Sequence, residues 1–259
     1  RVISCSKKNR DDPDSAISSP LLAAWFHDLL SALVHCHTNH VVLRAFQADQ
    51  VFLDDSGVAK LSGLYRATIL PFNERATSIN PLRNARSAKK EKGRETQDDG
   101  SDMTSNPFVA PEILLGSMKH TKETDIWSIG CLMANLLLGK PLFVGKERTS
   151  VLVAMFKIVG TPGKENYSDA SRFPYYRDPP KKYKRGVQKA FQHMMKDEDY
   201  KVHEKAIDLI AAMIYLDPQK RITAVDALKH EYMIQYVEDC STEAFRGQFV
   251  QDWMSLKKR

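Results

Sequence analysis

The sequence predicts a mainly α-helical fold with one small β-hairpin near its start. Apolar side chains recur at three- and four-residue spacing across residues 21–37, which is typical of a helix with a broad buried face. Residues 124–138 are apolar on most sides, which indicates a second, deeply buried helix. An Asp-Asp-Ser-Gly turn lies between two short apolar runs, and this pattern predicts a hairpin across residues 51–61.

The remaining elements follow from the same patterns. Gly139 fits as the C-cap of the buried helix, and Thr223 fits as an N-cap. Apolar spacing predicts three further helices, at residues 150–159, 204–216 and 223–229. Residues 161–202 are rich in proline and tyrosine, which favours loop structure. Residues 68–106 are charged and almost free of apolar periodicity, so we expect a disordered insertion there.

The composition excludes several classes of protein. The 259 residues are 42% hydrophobic and 27% charged, as in an ordinary soluble globular protein. No apolar run approaches the roughly 20 residues that cross a bilayer, and no signal peptide is present, so we expect a cytoplasmic or nuclear protein with no membrane partner. The cysteines form no CxxC pair, which favours reduced thiols over a metal or redox site. The net charge of +6 is spread out, which favours a solvated surface over a nucleic-acid site.

Four motifs occur in a fixed order across residues 21–233. They are VHCHTNHVVLRAFQADQVFLDDSGVAKLS, VAPEILLG, DIWSIGCLMANLLLGKPLF and DPQKRITAVDALKHEYM. In that order they resemble the catalytic loop, the end of the activation segment, the central buried helix and the closing helices of a protein kinase. GKPLF followed by MFKIVGTP is similar to the cyclin-dependent-kinase-like (CMGC) group.

The resemblance implies the large, C-terminal lobe of a kinase at residues 21–236. Residues 1–20 are then a polar lead-in that corresponds to the kinase αD region, and residues 237–259 form a tail. No Gly-rich loop and no strand lysine precede residue 21. We therefore expect the β-sheet of the small, N-terminal lobe to be absent.

The residues that build this lobe in the family are present. By resemblance, Glu112 of the A-P-E motif forms a buried ion pair with Arg221. Asp125 matches the aspartate that holds the backbone of the catalytic loop. Arg44 matches the arginine that can receive a phosphorylated activation segment. Retaining both partners of a buried pair favours a folded lobe, because one buried charge alone costs several kcal/mol.

The residues that carry phosphoryl transfer are replaced. The family pattern H-R-D-L-K-P-x-N falls on residues 43–50. Ala45 stands at the catalytic base and cannot accept a proton. Gln47 stands at the lysine and carries no charge. Gln50 stands at the metal-binding asparagine and is one methylene longer.

The D-F-G motif is also degenerate. Aligned without a gap, Gly63-Leu64-Tyr65 replaces it; with a two-residue deletion, Gly63 is the motif's glycine, and the Asp and Phe are missing. Neither alignment leaves a carboxylate for magnesium. Asp54 and Asp55 lie at the hairpin turn and do not serve as substitutes. Val109 replaces the arginine that shapes the pocket for proline-directed substrates, so that specificity is not expected.

We predict a catalytically inactive kinase-like domain that binds and regulates protein partners, such as another kinase, a cyclin-like protein or a scaffold. No cofactor is predicted, and ATP and Mg²⁺ enter by family resemblance only. Loop hydroxyls that could be phosphorylated and dock on Arg44 are Ser78, Ser87, Thr96, Ser101 and Thr104. Two alternatives stay open: an ATP-dependent serine/threonine kinase with residual or unconventional activity, and a non-functional truncated fragment.

Overall fold

A computed structural model describes residues 19–44, 46–70 and 106–240. Ala45, the start of the lead-in, most of the predicted insertion and the end of the tail lie outside these residues. Within them the chain is mostly helical and carries two small antiparallel sheets of two strands each. The mainly α fold class and the hairpin are confirmed.

The helices are α1 (Ser19–Thr38), α2 (Pro111–Leu114), α3 (Lys122–Leu138), α4 (Arg148–Val159), α5 (Val187–Met194), α6 (Asp197–Met213), α7 (Ala224–Leu228) and α8 (Glu231–Cys240). The strands are β1 (Val41–Val42), β2 (Val51–Leu53), β3 (Ala59–Leu61) and β4 (Thr68–Ile69). Strand β2 pairs with β3, with Val51 opposite Leu61. Strand β1 pairs with β4, with Val41 opposite Ile69.

Helices α1, α3 and α6 form the centre of the core. Helix α1 packs against α7, α8 and the hairpin, and α3 packs against α6. Leu22, Phe26 and Leu33 of α1 are fully buried, as the spacing of apolar residues predicts. Within the described part of the chain, no helix is both long enough and apolar enough to span a bilayer.

Helix α1 also fixes the position of the hairpin. The indole N–H of Trp25 donates to the backbone oxygen of Gly57 at 3.2 Å. The carboxylate of Asp28 accepts from the backbone N–H of Ala59 at 3.0 Å. The two contacts join residues 32 and 31 positions apart in the sequence, so they fix the hairpin turn and the start of β3 against α1.

Several sequence predictions of local structure are confirmed. The helices expected at residues 21–37 and 124–138 correspond to α1 and α3. Gly139 ends α3 with a φ of 63°, the left-handed conformation that glycine adopts without a Cβ penalty. The hydroxyl of Thr223 accepts from the backbone N–H of Asp226 and caps α7.

The expectation that residues 161–202 are mostly loop holds for just over half of the segment, but it misses two helices. Helix α5 and the start of α6 lie in this segment, together with a 3₁₀ turn at residues 168–172. The apolar anchors of α5 are Val187 and Phe191, which are buried and four residues apart. A helix of eight residues with one such pair is too short to give a periodic signal.

The boundaries of the predicted insertion and tail also change. Thr68 and Ile69 form β4 rather than part of an insertion, because they complete a ladder with β1. A strand of two residues is too short to show alternation in the sequence. Helix α8 continues to Cys240, beyond the boundary predicted at 236. Residues 71–105, which carry most of the predicted insertion, lie outside the described residues.

Replacement of Gly130 tests how closely α3 and α6 approach. A Cβ at Gly130 would lie 2.8 Å from Cβ of Met213 and 3.0 Å from Cγ2 of Ile214. In an exposed helix, alanine stabilises by about 0.5–1 kcal/mol relative to glycine. Overpacking a core costs about 1–3 kcal/mol. We expect Gly130→Ala to lower the free energy of unfolding, measured by urea denaturation.

Gly163→Ala is the matched control, because a Cβ at Gly163 meets no atom within 4 Å. Its free energy of unfolding should stay within about 0.5 kcal/mol of the parent value. A Gly130→Ala protein at least as stable as the parent would contradict the close contact of α3 with α6.

Candidate functional site

The candidate site is the loop between β1 and β2, which the sequence aligns with a kinase catalytic loop. Leu43 and Phe46 are buried, and Gln47 and Gln50 are half-buried. Residues 48–50 form a 3₁₀ turn that leads directly into β2. Ala45 lies outside the described residues, so its position as the replaced catalytic base stays a prediction from sequence.

Asp125, in the first turn of α3, accepts hydrogen bonds from the loop backbone. Its carboxylate accepts from the N–H of Leu43 at 2.9 Å and from the N–H of Arg44 at 3.1 Å. Nε2 of His37, from the last turn of α1, lies 3.0 Å from the same carboxylate. Complete burial raises the pKa of Asp125, and these three hydrogen bonds offset the rise only in part. The loop is therefore fixed to two helices through one buried carboxyl group.

Arg44 has an unusual backbone. Its φ of 72° lies in the left-handed region, which costs a residue other than glycine about 1–2 kcal/mol. The hydrogen bond from its N–H to Asp125 holds this conformation. No described residue forms a hydrogen bond or ion pair with the guanidinium of Arg44. The predicted phosphorylation sites lie outside the described residues, so phosphate docking on Arg44 stays a prediction.

Asn106 joins the loop to the segment before α2, and the sequence reasoning missed it. Its amide donates to the backbone oxygen of Phe46 at 3.0 Å and accepts from the N–H of Phe108 at 2.9 Å. The hydroxyl of Ser128 in α3 donates to the oxygen of Phe108 at 2.9 Å. The Asn-Pro pair at residues 106–107 signals a turn and could have drawn attention to this residue.

Glu112 and Arg221 form a buried bidentate ion pair. Nη1 and Nη2 of Arg221 lie 2.8 Å and 2.7 Å from Oε1 and Oε2 of Glu112. Both side chains are fully inaccessible to solvent. The hydroxyl of Thr124 also donates to Glu112, at 3.1 Å. Planar fork geometry makes such a pair stronger than a pair with lysine.

The rest of the Arg221 guanidinium is also satisfied. Nε donates to the backbone oxygen of Tyr215, and the second N–H of each terminal nitrogen donates to the oxygen of Glu123 or Leu216. All five N–H groups of the side chain therefore have acceptors. The guanidinium lies 4.9 Å from the ring of Trp127, within range of a cation–π interaction.

Gln50 and Gly63 meet at the open end of the hairpin. Oε1 of Gln50 accepts from the backbone N–H of Gln47 at 3.0 Å. A Cβ at Gly63 would lie only 2.5 Å from Nε2 of Gln50, so the amide rests against the α-carbon of this glycine. Gly63 has a φ of 75°, which glycine adopts freely.

These residues do not fit the magnesium ion that the family resemblance implies. Mg²⁺ favours octahedral oxygen ligands and is usually bound through carboxylates. Residues 46–50 and 62–66 contain a single carboxylate, Asp49, which is exposed. The amide oxygen of Gln50 is engaged by Gln47. Across the described ranges, no group of three or more His, Cys, Asp or Glu side chains could hold a metal.

Asp54 organises the hairpin turn, as its place in the sequence predicts. Its carboxylate accepts from the backbone N–H groups of Ser56 and Val58 and lies 3.0 Å from the Lys60 ammonium. Desolvation raises the pKa of Asp54, but the hydrogen bonds from Lys60, Val58 and Ser56 outweigh it and lower the pKa to about 2. Every contact is local to the turn, so this aspartate serves the hairpin.

Apart from Ala45, which lies outside the described residues, the structure gathers the predicted residues into three groups. Asp125 holds the backbone of Arg44, and Glu112 binds Arg221. Gln50 lies between Gln47 and Gly63. The third group carries two amides and a glycine, which can donate and accept hydrogen bonds but supply no charge.

Comparison with known proteins gives one consistent result. A family model described as protein kinase domain matches residues 6–233. The chain is 31% identical to cyclin-dependent kinase C-1 of Oryza sativa subsp. japonica over 230 residues, which are 86% of this chain and 38% of the relative. It is 30% identical to cyclin-dependent kinase C-2 of the same organism, with the same coverage of 86% and 38%. The chain therefore spans well under half the length of these curated relatives.

Breaking the Glu112–Arg221 pair should strongly destabilise the fold. Glu112→Gln leaves the guanidinium of Arg221 buried without its counter-charge, which typically costs about 3–5 kcal/mol. The measurement is the free energy of unfolding by urea denaturation.

The double variant Glu112→Gln/Arg221→Met supplies the control. It removes both charges. Its loss of unfolding free energy should therefore be smaller than the summed losses of the single variants Glu112→Gln and Arg221→Met. Strict additivity of the losses would mean that the two side chains do not interact.

Asp54 should give the hairpin a stability that depends on pH. Because its pKa is lower in the fold than in the unfolded chain, its contribution is present above about pH 4 and is lost as the pH falls towards 2. The difference in unfolding free energy between the parent and Asp54→Asn should therefore be larger at about pH 5 than at about pH 3.

Asp55→Asn is the control for Asp54, because Asp55 is exposed at the same turn. The unfolding free energy of Asp55→Asn should differ little from that of the parent at both pH values. A difference for Asp54→Asn that is equal at the two pH values would contradict the lowered pKa.

Proposed function

The chain belongs to the protein kinase family, and from that membership we propose that it is a binding or regulatory pseudokinase of the cyclin-dependent group. Its similarity to two cyclin-dependent kinases supports the group. Its work in this proposal is to bind protein partners rather than to transfer phosphate. The observation that supports this role is the lack of charge on Gln47, Gln50 and Gly63 at the candidate site.

Phosphoryl transfer depends almost entirely on positioning and on charge stabilisation by metal ions and cations. At the positions of the family's lysine, metal-binding asparagine and D-F-G motif stand Gln47, Gln50 and Gly63. None of them carries a charge, and the amide oxygen of Gln50 is already bonded within the loop. In the sequence Ala45 replaces the base, a loss that alone costs on the order of 10²–10⁴ in rate. These replacements together support a role without catalysis.

The intact framework supports a role that needs a folded surface. Asp125 holds the loop backbone, and Glu112 and Arg221 join the segments around α2, α3 and α6. A chain with these buried polar contacts presents its helices in a fixed arrangement. This arrangement is what a binding partner recognises.

Apolar side chains just after Gly63 favour a protein as that partner. Leu64, Tyr65 and Ile69 are 53%, 81% and 75% exposed, respectively, within six residues of chain. Grouped apolar exposure of this kind marks interaction sites more often than single exposed residues do. The partners that fit the family are another kinase, a cyclin-like protein or a scaffold protein.

Thermal unfolding with and without ATP and MgCl₂ tests the proposal. A ligand at about 100 times its dissociation constant stabilises by about 2.7 kcal/mol. For a chain of this size, that is a rise in Tm of roughly 5–10 °C. We expect no rise that depends on magnesium, because Gln47, Gln50 and Gly63 supply no carboxylate at the candidate site. A catalytically competent cyclin-dependent kinase, treated identically, is the positive control.

An active kinase predicts the opposite outcome of this experiment, and a non-functional fragment needs a second measurement. A magnesium-dependent rise in Tm, together with transfer of radiolabelled phosphate to a generic substrate, would establish an active kinase and overturn the proposal. Light scattering on the purified chain addresses the non-functional fragment. Such a fragment should aggregate through exposed apolar surface, whereas a monodisperse protein supports a functional domain.

A further inference from the structure

The side chain of Gln50 bridges two segments that are separate in sequence. Its amide oxygen accepts from the backbone N–H of Gln47, at the start of the 3₁₀ turn. Its amide nitrogen lies against the α-carbon of Gly63, after the hairpin. One side chain therefore touches both the loop before β2 and the turn after β3.

The backbone brings these segments together in the same place. The N–H of Ser62 donates to the backbone oxygen of Gln50 at 2.8 Å, which extends the β2–β3 ladder by one bond beyond Val51 and Leu61. Gly63 follows immediately, and its lack of a side chain leaves room for the amide. A Cβ there would overlap Nε2, Cδ and Cγ of Gln50, at 2.5–2.8 Å.

The length of the side chain decides whether both contacts form. Asparagine is one methylene shorter, so its amide would stop short of the contacts that Gln50 makes on both sides. Glutamate has the same reach and keeps the acceptor for Gln47. Glutamine therefore fits this gap by its length, independently of any charge.

We infer that Gln50 is an amide clasp, which joins the loop to the turn at Gly63 without a divalent cation. In the kinase pattern, metal ligands stand on these same two segments, at the positions now taken by Gln50 and Gly63. The amides of Gln47 and Gln50 do not fit magnesium. The side chain of Gln50 fills the space between the loop and Gly63 instead. The clasp rests on the contacts of Gln50 and stands apart from the proposed binding role.

Exchange of single backbone amides with deuterated water, followed by NMR, tests the clasp. The N–H of Gln47 reports the side-chain bond. Loss of one such bond should speed its exchange roughly 2- to 12-fold. We expect this increase in Gln50→Ala and in Gln50→Asn, whereas Gln50→Glu should keep the slow exchange of the parent.

The matched control is Gln192→Ala, on the exposed face of α5, which should leave the exchange of Gln47 unchanged. The metal arm compares the parent protein in EDTA and in MgCl₂ without nucleotide, and the two rates should agree. Slower exchange of Gln47 in MgCl₂ would overturn the inference, as would an unchanged rate in Gln50→Ala. The assay contains no nucleotide or substrate, so its failure is distinguishable from failure of the proposed function.

Discussion

The rest of this structure depends on the buried ion pair between the guanidinium of Arg221 and the carboxylate of Glu112. The guanidinium donates to Glu112 of α2, to the backbone oxygen of Glu123 in the first turn of α3, and to the backbone oxygen of Tyr215, two residues after the end of α6. The pair with Glu112 repays the desolvation of two charges only because the remaining N–H groups are also satisfied. Segments far apart in sequence thus have one common polar centre, next to the buried and stacked rings of Trp127 and Phe143.

The second constraint acts on the loop. Asp125 belongs to the same first turn of α3 as the acceptor for Arg221, and it fixes the backbone of Leu43 and Arg44. Asn106 then joins Phe46 to the segment that leads into α2. The hydrogen bonds around Arg221 and those that hold the loop therefore belong to one connected network. The side chains that determine chemistry are attached to this network but do not build it.

Local codes in the sequence explain which features could be predicted. Helix α1 has a long periodic apolar face, and Gly139 and Thr223 are caps with known residue preferences. Each of these features can therefore be predicted from a short stretch of sequence. Strand β4 and the Asn106 contact depend on partners more than twenty residues away, which no local pattern specifies. The direction of the Gln50 side chain depends on the room left by Gly63, and only packing determines that.

The left-handed backbone of Arg44 has a consequence for how such a loop changes over evolutionary time. Active sites commonly hold strained backbone and crowded ionisable groups at the expense of stability. In this loop the strained backbone of Arg44 is present, while the side chains of Gln47 and Gln50 carry no charge. The hydrogen bond from the N–H of Arg44 to the carboxylate of Asp125 holds that conformation, and neither amide takes part in it. The backbone shape of the loop and the charge of its side chains are set by different residues, so each can change over evolutionary time without the other.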